Sequence, residues 1–83
     1  VTAALVRLRA PDGAESFLCY DCPGHTPDAA RATRFATDAV AWRAARAAVY
    51  GNPDAFWDSE RRNAELTRQR MAGYVASVET API

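Results

Sequence analysis

The chain has no lysine, one histidine and two cysteines in 83 residues, and its ten arginines are balanced by ten acidic side chains. Each shortage closes a route to function. With a formal charge of zero, no overall field draws the molecule to nucleic acid or to an anionic membrane, so any such attraction has to come from a local patch. Cys19 and Cys22 close too small a loop to act as a long-range staple, and in a reducing compartment both remain thiols. No apolar run approaches the ~20 residues that span a bilayer. The segment Val1 to Arg9 alternates like a strand instead of showing the charged start and cleavage site of a secretory signal, and no initiator methionine precedes it. The expectation is a cytoplasmic protein with no membrane role.

Hydrophobic residues make up 49% of the chain and aromatics 10%, enough for a packed core and far from the composition of disordered chains. A chain this short removes only about 60–65% of its unfolded surface from water. That leaves little room for a cleft with supporting shells, which argues against an enzyme. Residues 1–83 are expected to form one compact domain, as a monomer or small homo-oligomer. Arginine without lysine, together with nineteen alanines, is what a GC-rich genome supplies without selection for function.

Along the chain, Leu5, Arg7 and Arg9 alternate with Val6 and Leu8. Pro11 and Gly13 then mark a reversal, and Ser16 to Tyr20 reads as a return strand, so residues 3–21 predict a β-hairpin. Asp21 to His25 is expected to be a loop. Thr26-Pro27-Asp28 signals a short helical turn, with the Thr26 hydroxyl as cap and Pro27 in the first helical position. Thr37-Asp38 starts the first main helix, whose Ala41, Ala44, Ala45, Ala48, Val49 and Trp42 share an inward arc, while Arg43, Arg46 and Tyr50 share an outward one. Gly51 supplies a left-handed stop. Asn52-Pro53-Asp54 predicts a second helix running through Phe56 and Trp57 to about Met71, with Trp57 in the core. Heptad spacing from Trp57 to Val78 would allow one long helix, but Gly73 and the alternation in Tyr74–Thr80 favour a further strand. The expected fold is α+β, a small antiparallel sheet packed by two helices in the order ββααβ, with a short extra helical turn before the first main helix.

Cys19, Cys22 and His25 follow the spacing that begins a zinc knuckle. A closed site needs a fourth ligand, for which only Asp21 or Asp28 is near, and a cysteine alternating within a strand reads as a small buried hydrophobe. No metal or other cofactor is therefore expected, and no third group orients His25 for Cys–His catalysis. The arginines of the second helix, Arg61, Arg62, Arg68 and Arg70, are interleaved with Asp58, Glu60 and Glu65, the pattern of a solvated face with weak local ion pairs. Protein binding fits better, because arginine, tyrosine and tryptophan dominate interface hot spots. The candidate docking residues are Arg43, Arg46 and Tyr50, joined by Arg31 and Arg34.

Ala32-x-Arg34-Phe35-Ala36-Thr37, followed by Ala41 and Ala44 and by a closing segment from Val75 to Glu79, resembles short proteins of phages and mobile elements in GC-rich bacteria. Among these the chain is similar to anti-CRISPR proteins that act on type I surveillance complexes. The resemblance implies stoichiometric inhibition in the cytoplasm of a bacterial host, by a compact protein that occupies the DNA-recruiting surface of a Cas effector complex (Cascade) without chemistry. It carries over no functional residue. The zero net charge departs from the dense acidic faces by which such inhibitors imitate DNA, and favours steric blocking or an arginine-based dock on an acidic patch. The alternative is a small nucleic-acid-binding accessory protein that uses an arginine-bearing helix face.

Overall fold

Alternating side chains decide which face of the first strand becomes interior. In the computed structural model, which describes residues 2–21 and 24–82, β1 (Thr2–Arg9) sends Ala4, Val6 and Leu8 into the main core and Leu5 to the opposite face. β2 (Glu15–Cys19) returns antiparallel with Arg7 opposite Phe17 and Arg9 opposite Glu15. The reversal falls where Pro11 and Gly13 place it, with Gly13 at φ +90° and Asp12 Oδ1 accepting from the Ala14 N–H at 2.9 Å.

Two further strands complete an antiparallel sheet in the order β3-β2-β1-β4. β3 (Gly24–Thr26) lies on the outer edge of β2, and β4 (Val75–Pro82) pairs along the whole of β1 with Val78 opposite Val6. The fold is α+β with two helices in a ββααβ-like order, and the closing segment is a strand. The expected loop at 21–25 needs correction, because Gly24 and His25 belong to β3. Three residues carry too little periodicity to announce a strand. The extra turn is also shifted: it is a 3₁₀ turn at Ala29–Arg31 capped by the Asp28 carboxylate, while the Thr26 hydroxyl accepts from the Asp28 N–H instead.

The chain from this turn wedges against the sheet where β1 and β2 part. The Thr33 N–H donates to Leu18 O at 3.0 Å, and Phe35 exchanges both backbone hydrogen bonds with Ala4 at 2.9 and 2.8 Å. Ala32 then packs on Leu5 and Phe17, covering the sheet face that the helices leave open. Phe35 turns to the other face and joins the main core.

α1 (Asp38–Ala45) is capped by the Thr37 hydroxyl, which accepts from the Val40 N–H at 3.2 Å. Ala41 and Ala45 are 0% exposed, so the helix axis sits close to β1 and β4 as the small side chains predict. A π-helical turn, Arg46–Tyr50, extends α1 to Gly51 at φ +77°. α2 (Asp58–Arg70) starts later than expected. Asn52 Oδ1 accepts from the Asp54 N–H at 2.9 Å, forming a local turn instead of a helix cap. Glu60 then reaches back to accept from the Phe56 and Trp57 N–H groups at 2.9 and 3.4 Å, and that closes the helix N-terminus. Phe56 and Trp57 thus precede α2, which rests on the π turn and Gly51 and buries only Ala64. No helix among the described residues is long and apolar enough to cross a membrane.

Candidate functional site

On the solvent side of α1, Ala39, Arg43 and Arg46 follow one another at helical spacing, opposite the buried Ala41 and Ala45. With Trp42 on one flank and the Asn52-Pro53-Asp54 corner facing them, they line a surface groove of about 690 Å³. Trp42 was expected inside. It is 39% exposed because the sheet covers a narrower arc of α1 than its apolar residues span.

The aromatic pair at the start of α2 follows directly on this corner. Phe56 is 70% exposed and Trp57 65%, with their rings edge to face at a centroid separation of 5.2 Å. The expectation of a core Trp57 is therefore wrong. Once Glu60 caps the helix at Trp57, the ring lies outside the helix, and Ala64 is the one buried residue of α2.

The five candidate docking residues do not come together as one set. Among the described residues neither Arg43 nor Arg46 has an ion pair or hydrogen-bond partner for its guanidinium, and both are exposed. Tyr50 departs from them: the i→i+5 turn rotates each residue through less than an α-helix would, and the Tyr50 hydroxyl accepts from the Ala76 N–H at 3.1 Å on β4. Its oxygen secures a sheet edge. Arg31 and Arg34 flank Ala32, which packs on the sheet face away from α1. The Arg34 guanidinium is held by its own loop, donating to Ala32 O at 3.0 Å and Ala29 O at 3.3 Å.

The other arginines of the sheet are consumed internally. Arg7 donates to both oxygens of Glu79, at 2.9 and 3.1 Å, and to Glu15; it also lies over the Phe17 ring at 4.8 Å. Arg9 donates to Glu15 at 2.8 Å. These two guanidinium groups, Arg9 foremost, hold the Glu15 carboxyl below the usual carboxylate range, while Glu79 and Glu15 raise the Arg7 pKa. On α2, Glu65 pairs with Arg68 at 2.8 Å and is lowered in the same way.

Two of the three residues of the metal spacing, Cys19 and His25, do not converge. His25 pairs with Leu18 and so shares the Leu18 face, whereas Cys19, opposite Gly24, points to the other face and donates from Sγ to Arg31 O at 3.1 Å. One sheet separates the two side chains. Cys22 lies outside the described residues, and no metal-ligand cluster occurs among those described.

Helix arithmetic already set Arg43 and Arg46 outward in the sequence. The residues it misses are Trp42, which the apolar arc places in the core, and Asp54, which reads as a helix-start acid. A local turn at Asn52–Asp54 was the available signal for the latter. Together these features define a small α+β domain that presents an aromatic and arginine-bearing face on its first helix. Comparison with protein-family models, with curated proteins and with solved structures finds no match to this chain.

Proposed function

We propose that this chain is a non-enzymatic protein-binding inhibitor of the kind that phages and mobile elements direct at type I CRISPR surveillance complexes, blocking recruitment of target DNA. One observation carries the reading: Trp42, Arg43 and Arg46 line a surface groove, and the exposed Phe56–Trp57 pair follows in sequence on its Asn52–Asp54 corner. Burying these residue types at the centre of an interface supplies most of the binding energy of typical complexes. The resemblance noted in the sequence supplies the partner class, a Cas effector subunit, and the zero net charge points to steric occlusion ahead of DNA imitation. The test is co-purification of the tagged protein with type I surveillance complexes, read together with their binding of target DNA. The reading expects stable capture and loss of DNA recruitment; capture of no Cas subunit removes it.

A second reading has its own observation. On the side of α2 opposite Ala64, Ser59, Arg62, Asn63, Leu66, Gln69 and Arg70 form an exposed stripe without a carboxylate. Such a stripe suits phosphate and base-edge contacts. A salt titration with duplex and single-stranded DNA separates the two, because affinity built on phosphate contacts falls steeply as salt rises.

A further inference from the structure

Three charged side chains line the α1 groove without meeting across it. Arg43 and Arg46 stand on the helix side and Asp54 on the corner side, yet among the described residues none of the three has an ion-pair partner. Elsewhere Arg7, Arg9 and Arg68 are all paired with carboxylates. The groove thus keeps opposite charges apart on its two sides. Its helix side is built from small residues, Ala39 and Ala47, which let a chain lie close to the α1 backbone, and Trp42 adds a flat apolar surface. The corner opposite is held by Asn52, whose side chain fixes the Asp54 N–H at 2.9 Å and whose carbonyl accepts from the Ala55 N–H at 3.3 Å. A wall set before binding spares part of the ordering cost.

We infer that this groove binds an acidic peptide segment of the partner protein, with its carboxylates on Arg43 and Arg46, an apolar side chain on Trp42, and backbone N–H groups donating to Asp54. The assignment rests on the inhibitor reading and names the chemistry of the docked surface. Arginines three residues apart on one helix face are neighbours, spaced to take two carboxylates in succession or to share one. Asp54 makes the choice between polymers. A nucleic-acid strand carries phosphate charge along its whole length and meets repulsion at Asp54, whereas a peptide offers carboxylates to one side and N–H donors to the other.

The experiment uses the full chain and fluorescence anisotropy of a labelled, end-blocked Glu-Asp-Leu-Glu-Asp peptide. Its amide isostere, Gln-Asn-Leu-Gln-Asn, and a short oligodeoxythymidylate serve as comparison probes. The acidic peptide is expected to bind about tenfold or more tightly than the isostere, and R43Q/R46Q, checked for native circular dichroism, to abolish that difference. D54N is expected to strengthen the oligonucleotide more than the peptide, because the Asn oxygen still accepts from backbone N–H groups while the repulsion of phosphate is removed. Equal binding of acidic peptide and isostere overturns the assignment, as does an oligonucleotide that binds the native protein more tightly than the peptide. If the peptide fails while Cas complexes are still captured, the groove assignment falls and the inhibitor reading stands. If the peptide binds and no Cas complex is captured, the groove assignment holds and the inhibitor reading falls.

Discussion

Trp57 has the bulk of a core residue in a domain that has few large side chains to spare, yet it lies 65% exposed beside Phe56. Removing a buried tryptophan costs about 3–5 kcal/mol. An exposed ring forfeits only its edge contact, about 0.5–1.5 kcal/mol. Trp57→Ala is accordingly expected to lower the unfolding free energy by less than about 1.5 kcal/mol in urea titration, while weakening partner capture; a core-sized loss would contradict the exposed placement. Tyr50 tests the opposite assignment, from docking to structure. Tyr50→Phe keeps the ring and removes the oxygen that accepts from the Ala76 N–H at 3.1 Å. The expected cost is about 1 kcal/mol, with faster exchange of the Ala76 amide by NMR and unchanged partner binding.

Of the two helices α2 has the thinner attachment, since Ala64 is its one buried side chain and it rests on the π turn that leads into Gly51. A Cβ at Gly51 would lie 2.7 Å from Ala64 O, and φ is +77°. Gly51→Ala is expected to cost about 1–3 kcal/mol, because φ +77° with ψ 148° is a region that essentially only glycine adopts. Its amide shifts should concentrate in α2 and the π turn and spare β1 and β4; a uniform change across the sheet would place Gly51 in the central core instead. The same element shows where sequence reasoning reaches and where it stops. Thr37 as a cap, Gly51 as a stop, the Val6–Leu8 alternation and the alanine face of α1 are local patterns, and local physics sufficed to read them. Asn52-Pro53-Asp54 is compatible with a helix cap and with a closed turn, and Glu60, several residues on, decides between them. The separation of Cys19 from His25 by the sheet needed the register of β3, which three residues do not announce. For the candidate site, Arg43 and Arg46 were legible from helical spacing, whereas Tyr50, Arg31 and Arg34 depended on a π turn and on loop packing that spacing alone does not encode.

Among the described residues Arg7, Arg9 and Arg68 are paired with carboxylates and Arg43 and Arg46 are not, and the paired set shapes the response to acid. Glu15, lowered by Arg9 and then Arg7, and Glu65, lowered by Arg68, bind protons less readily folded than unfolded. Their stabilisation is present above the unfolded carboxylate value of about 4.3 and is lost as pH falls through the lower folded value. Thermal stability is expected to be flat above about pH 5 and to decline below about pH 4, and Glu15→Gln to flatten that decline. The exposed positions of both pairs keep the effect small, and a decline unchanged in the Gln variant would assign it to other carboxylates. None of this involves the outer face of α1, where the arginines of the proposed dock lie. The direct measurement is a titration of native protein and R43E/R46E against a purified type I surveillance complex, following its binding of target DNA. Near-stoichiometric inhibition by native protein, weakened about tenfold or more in a variant with an unchanged unfolding midpoint, is the predicted result. Equal potency of the two proteins, or no inhibition by the native one, would contradict it.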